Sequence, residues 1–293
     1  MKVIMSRKGF DSKYGGCASP IFPDGSMFSL PIPARRSGTT FADVTANGLN
    51  MGSMVEMLTD GRLEKSHPTH LDPDIDENAR PRHSGWMPAF GQVGGPLTHL
   101  DNCNVGIGDM FLFFGWFRRI EIDKQGNYRY IPDSRNLHVI FGWLQVGEML
   151  DVGTDKTPIL TKKPWLANHP HIEGMYEGKN RVYIAADCLS IPSLNVRKSL
   201  PGGGVFGKLA NPRILTHPDS QSRSFWRLPR SFSPHASLAK LSCHESPARW
   251  VTDQDNRHVT LRAVSQGQEF VIEMENQSYL NDWLDKIFND RVS

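Results

Sequence analysis

The sequence predicts an α+β fold, a β-rich mixed sheet or small barrel centre carrying a few peripheral helices. Three observations predict it. Met110-Phe111-Leu112-Phe113-Phe114-Gly115-Trp116-Phe117 is a continuous apolar run that passes into the alternation Arg119, Ile120, Glu121, Ile122, Asp123. Val139 to Val146 is a second such run. Aromatic enrichment and period-2 alternation favour strand over helix, and strands apolar on both faces belong at the centre of a sheet or barrel. Finally, strand-like segments follow one another with few helical ones between them.

In chain order, Met1 to Ser6 reads as a short buried strand. The stretch from Arg7 to Gly16 reads as a loop, and Pro23-Asp24-Gly25 as a turn. A second strand, about Ser26 to Ile32, would return to make residues 1–33 an open hairpin. Asn50 to Asp60 reads as a helix: Asn50 can cap it, Met54, Val55 and Leu58 share a face, and Gly61 can end it. Residues 62–108, rich in proline and glycine, read as long loops of the kind that hold sites. Lys124 to Asn127 is a turn between the two apolar strands. Arg181 to Ala185 is a further strand. Val259 to Val264 and Glu269 to Ile272, joined by Ser265-Gln266-Gly267-Gln268, make a late hairpin. Ser278 to Asp290 is an amphipathic helix with Leu280, Trp283, Leu284, Ile287 and Phe288 inward.

With 293 residues, 39% hydrophobic and 22% charged, the chain is globular material and suits one elaborate domain. Within it, 1–187, a basic 188–244 stretch and 245–293 stand out as sub-modules. The start lacks a signal-like apolar segment, and no run is long enough for a membrane span. Cys17, Cys103, Cys188 and Cys243 form no Cys-x-x-Cys. A cytoplasmic protein with reduced thiols is therefore expected. Net charge is only +2, but between Cys188 and His244 Arg197, Lys198, Lys208, Arg213, Arg223, Arg227, Arg230 and Lys240 face one acid, Asp219. Such a stretch suits a polyanionic partner.

The sharpest chemical feature is His67-Pro68-Thr69-His70-Leu71-Asp72-Pro73-Asp74-Ile75-Asp76. If extended, it turns His70, Asp72 and Asp74 to one side. An imidazole and carboxylates so placed could hold one divalent metal ion or supply a general base. Equally, the aspartates could simply cap turns on the surface. His99, just before the first core strand, could join the site or be a structural histidine. The other histidines show no ligand spacing, and His169-Pro170-His171 is the next pair to consider. Arg7, Lys8 and Gly9 at the end of the first strand can hold a phosphate, although the Gly-Lys-Ser/Thr ending of a P-loop is absent. Gly202-Gly203-Gly204-Val205-Phe206-Gly207-Lys208 lacks a dinucleotide-binding context and reads as a loop lining a groove. Arg223, Phe225, Trp226, Arg227 and Arg230 interleave cations with rings, which suits single strands or flipped bases. The alternative is core aromatics flanked by solvated arginines.

Nearly the whole chain resembles the third family of nucleotide modification associated domains. The likeness rests on Ser6-Arg7-Lys8-Gly9-Phe10-Asp11-Ser12, Ser19 to Gly25, Ser29 to Pro33, His70 to Asp74, Phe90-Gly91-Gln92, His99-Leu100, Gly108 to Arg118 and Phe141 to Gly147. It implies association with base modification and carries no catalytic assignments. A second likeness is to the centre of PUA-type barrels such as EVE and ASCH domains. It rests on Gly108-Asp109 before an aromatic strand and on Ile140 to Val146. Two functions follow. One is an enzyme acting on a nucleotide, or on a base in DNA or RNA, with His70, Asp72, Asp74 and His99 catalytic and Arg7, Lys8, Lys208, Arg223, Trp226, Arg227 and Arg230 holding the nucleic acid. The other is a reader of modified bases with a pocket lined by Trp116, Trp143 or Trp226, or a scaffold for partner enzymes of a modification pathway.

Overall fold

The computed structural model describes residues 1–46, 48–191, 200–236, 239–265 and 267–289. Arg197, Lys198, Gln266 and Asp290, all used in the sequence reading, lie outside them. The architecture is a ten-stranded mixed sheet with few helices. Its path runs Ala239–Leu241, Glu269–Met274, Val3–Arg7, Met110–Ile122, Leu137–Asp151, Asn180–Ala185, Ala89–Val93. The first and last of these do not pair with one another, so the sheet is open and no closed barrel forms among the described residues. The aromatic strands sit at its centre, as their apolar character on both faces requires. Phe111, Phe113, Phe114 and Phe117 are fully buried.

Neither expected hairpin forms. Val3–Arg7 lies between two strands, antiparallel to Glu269–Met274 and parallel to Met110–Ile122, with Met5 opposite Phe270 and Leu112. Val3, Ile4 and Met5 are buried and take an inner position that a two-stranded hairpin could not provide. The chain then pairs Ser19–Ile21 parallel to the far end of the same long strand. Of the expected second strand, Ser26 and Met27 form only isolated bridges to Lys208 and Ile21, and Ile32 joins Pro33 in a short strand paired with Thr69–His70. The late hairpin fails similarly: His258–Arg262 joins Phe225–Pro229 and Trp250–Thr252 in a separate three-stranded sheet. Glu269–Met274 instead returns to the main sheet.

Residues 62–108 hold more structure than their composition suggests. Ala89–Val93 is the edge strand, and Gly94–Asn102 is a helix that leaves it directly. Gly94 makes the corner at φ +61°, and Pro96 falls in the first turn, where no helical N–H is lost. The helix Met51–Leu58 is capped by the Asn50 side chain, buries Met54, Val55 and Leu58, and stops before Gly61 at φ +74°. The closing helix Gln277–Phe288 buries Leu280, Trp283, Leu284 and Ile287, while Phe288 packs on Trp143 and Phe206. All four cysteines are free thiols. No helix among the described residues is long and apolar enough to cross a membrane.

Candidate functional site

A cleft of about 870 Å³ opens where the Val3–Arg7 strand ends. It is bordered by the loop from Arg7 to Tyr14, by His70 and Asp72, by Gly91 to Val93, by His171 and Tyr176, and by His138 and Arg223. The chain enters it because Gly115 has no side chain: a Cβ there would stand 2.7 Å from the Lys8 carbonyl. The Lys8 N–H donates to the Phe114 carbonyl at 2.9 Å, seating the loop against the central strand.

The floor begins with local backbone structure. Thr69–His70 pairs with Ile32–Pro33, and the Asp72 N–H turns back to the His70 carbonyl at 2.9 Å. Asp74 then exchanges both backbone hydrogen bonds with Ala89, at 2.9 Å each, which ties this segment to the edge strand. Two positions further along that strand, the Gly91 N–H donates to Asp72 Oδ1 at 2.7 Å. Gly91 has a second role: a Cβ there would stand 2.1 Å from the His171 ring, so only glycine lets that imidazole reach Asp72.

His169 and His171 reach the floor from the far side. His169 caps the short helix Pro170–Glu173, its Nδ1 accepting from the His171 N–H at 3.2 Å. The helix carbonyls of Ile172 and Gly174 accept from Lys156 Nζ. Asn180 donates its side-chain N–H to the His171 carbonyl and presents Oδ1 to His171 Nδ1, each at 2.8 Å. The Tyr176 ring stacks on His171, with centroids 4.8 Å apart. As a result Asp72 is faced by three imidazoles: His169 Nε2 at 3.6 Å, His171 Nε2 at 3.7 Å and His70 Nε2 at 3.9 Å.

Burial dominates the electrostatics. It pushes the Asp72 carboxyl up to about 7, while the Lys8 charge and the Gly91 N–H pull the other way. Burial brings His70 down to about 3, helped by His171 and Lys8. It brings His171 down to about 4, against the bond to Asn180. His169 is lowered well below the usual histidine range, again mainly by burial. Near neutral pH the imidazoles are therefore uncharged, and a neutral imidazole nitrogen that carries no proton can serve as a metal ligand.

The cleft wall is cationic. Arg7 lies between the Phe114 and Phe270 rings and donates to the carbonyls of Val264 and Ser265 at 2.9 and 2.8 Å. Arg223 lies 4.1 Å over the Trp116 ring and donates to Ser12 Oγ at 2.8 Å. Among the described residues neither guanidinium has a carboxylate within salt-bridge distance. Lys8 differs, because its Nζ is 3.1 Å from Glu269 Oε1, which also accepts from Gln92 at 2.6 Å.

The structure thus brings together His70, Asp72, Arg7, Lys8 and Arg223 and parts them from the other sequence candidates. Asp74 does not converge with Asp72: its carboxylate is bound by Arg80 at 3.0 Å and by both ends of Arg82 at 2.9 and 2.7 Å. His99 bonds Ser242 Oγ at 3.0 Å, away from the cleft lining. Trp226 is fully buried and donates to His138 Nδ1 at 3.0 Å, so it offers no face to a base. Arg227 is paired with Asp253 and Asp255. Arg230 is exposed and donates to the Asn256 carbonyl, and Lys208 is exposed beside Ser26; neither lines the cleft. Of the three tryptophans expected to line a reader's pocket, Trp143 and Trp226 are buried. Trp143 is buried against Phe206 and Phe288, and Trp116 lies under Arg223. His169 and His171 are the residues that local spacing did not promote. Their one sequence signal was the His-Pro-His pairing, and what recruits them is contact with a carboxylate some hundred positions earlier in the chain.

The family model described as nucleotide modification associated domain 3 matches residues 2–273. No curated protein and no solved structure matches the chain.

Proposed function

The chain belongs to the nucleotide modification associated domain 3 family, and on that premise we propose that it is an enzyme acting on a nucleotide, or on a base in DNA or RNA, bound in this cleft. The observation that carries the proposal is one cleft that holds Arg7 and Arg223, neither with a carboxylate within salt-bridge distance among the described residues, together with the buried carboxylate of Asp72 and the neutral imidazoles of His70 and His171. Arg7 and Arg223 hold the phosphate, since a guanidinium offers a planar fork of donors to its oxygens. Their stacking on Phe114, Phe270 and Trp116 fixes that fork before the ligand arrives. The base or sugar is then directed at His70, Asp72 and His171, which either move protons or hold a metal ion that activates water. Such groups beside a phosphate-binding wall support catalysis over mere recognition, as does the burial of Trp143 and Trp226, two of the three tryptophans that a reader would use for stacking.

Arg223→Gln tests the reading. It is expected to weaken binding of a short single-stranded oligonucleotide, measured by fluorescence anisotropy, by about tenfold or more, the scale of one charge-assisted hydrogen bond. The slope of log affinity against log salt should become shallower by about 0.7 for the lost phosphate contact. Unchanged affinity and slope in both Arg223→Gln and Arg7→Gln would remove the cleft as the binding site.

A further inference from the structure

We infer that His70, Asp72 and His171 form a binding site for one divalent transition-metal ion, with His169 positioned behind Asp72 to orient its carboxylate. The inference deepens the proposed function and rests on it only for the use to which the ion is put. Its basis is an accounting of donors and acceptors. Asn180 Oδ1 must be an acceptor, because the same side chain gives its N–H to the His171 carbonyl. His171 therefore carries its proton on Nδ1 and turns the Nε2 lone pair toward Asp72 Oδ2, 3.7 Å away. Asp72 Oδ1 already accepts from Gly91, so Oδ2 is the free oxygen, and His70 Nε2 faces it at 3.9 Å. These separations are too long for a hydrogen bond. One potential ligand atom from each of the three residues falls within 4.8 Å of the others. Two atoms at about 2.0–2.2 Å from a tetrahedral ion lie about 3.3–3.6 Å apart, so each imidazole must close on Asp72 by a few tenths of an ångström, and the most distant pair of ligand atoms, within 4.8 Å, by at most about 1.5 Å.

A second observation points to the same place. His169 is 2% exposed, and its Nδ1 is occupied as an acceptor, which puts the proton on Nε2. That Nε2 has no hydrogen-bond partner and stands 3.6 Å from Asp72 Oδ1. A carboxylate drawn slightly toward an ion and held by His169 would satisfy both groups, the usual arrangement of an outer partner on a metal ligand. Two imidazoles and one carboxylate suit zinc or ferrous iron better than magnesium or calcium. Three protein ligands whose open side faces a cleft mark a site that keeps room for water or substrate.

The test uses the full chain without nucleotide, stripped by a chelator and titrated with Zn(II), Co(II) or Mg(II). The inference predicts about one retained Zn(II) per chain by elemental analysis, a raised Tm, and visible Co(II) bands of nitrogen and carboxylate ligation, with no response to Mg(II) at equal concentration. His171→Ala and Asp72→Asn should abolish retention. Gly91→Ala, which keeps all three ligand residues in the chain but pushes the His171 ring away from Asp72, should weaken it by at least about 10–100-fold. Failure of folded wild-type protein to hold an ion, or unchanged binding in His171→Ala, overturns the site. If the variants do not fold, the Co(II) spectrum of the wild type decides, since an unchanged aquo-ion spectrum also overturns it. Because no nucleotide is present, this failure is distinct from failure of the oligonucleotide experiment.

Discussion

Asp74→Ala is expected to lower the unfolding free energy by about 3–5 kcal/mol, the scale of breaking a buried ion pair from one side. The Asp74 side chain is 3% exposed, and those of Arg80 and Arg82 are each 12% exposed. Without the carboxylate, two guanidiniums are left in a cavity with little water to replace it. Part of the cost is local to the candidate site. Arg80 also reaches Thr39 Oγ1 and the Asn168 carbonyl at 3.1 and 3.3 Å, and so holds the segment that delivers His169 and His171. Urea unfolding should show a lower midpoint with an unchanged m value. If stranded charge is the cause, adding Arg82→Met should recover part of the loss. No recovery would mean that the backbone ladder to Ala89, not the ion pair, holds this segment.

Trp226→Ala is expected to cost a similar 3–5 kcal/mol, as removal of a buried tryptophan does. Its ring is fully buried, edge-on to Phe114 and Phe270, and its Nε1–H is the donor to His138. Truncation leaves a cavity beside the central strands and an unpaired imidazole nitrogen. Thermal or urea unfolding measures the loss. In the fraction that stays folded, oligonucleotide affinity should fall much less than in Arg223→Gln. The opposite ordering would return Trp226 to the role of a stacking platform.

The central strands were legible because Met110–Ile122 and Leu137–Asp151 carry their apolar pattern locally, and the helices Met51–Leu58 and Gln277–Phe288 because Asn50, Gly61 and the Leu280–Ile287 face do the same. Strand partners were not. Val3–Arg7 and Glu269–Met274 look like hairpin arms to any local reading, yet they pair with each other, because what selects a partner is burial of both faces in the assembled sheet. The site divides along the same line. His70 and Asp72 lie two residues apart, so one extended segment places them together. Alternation also put Asp74 on their side, but Arg80 and Arg82 claim its carboxylate. His171 joins from a distant helix through contacts with Asn180 and the bare backbone of Gly91. Trp226 and Arg227 resembled a nucleic-acid surface because interleaved cations and rings also describe a strand with one face buried and the other salt-bridged.

Phosphorus relaxation of a nucleoside 5′-monophosphate bound to Mn(II)-loaded protein tests most directly whether cations and imidazoles serve one site. Binding at Arg7 and Arg223 puts the phosphate in the same cleft as His70, Asp72 and His171, so the account predicts strong paramagnetic broadening in the wild type. The broadening should vanish in an Arg7→Gln/Arg223→Gln variant that still holds the ion. A nucleotide that binds the Mn(II) protein yet relaxes as it does on the metal-free protein would place its phosphate elsewhere and contradict the account.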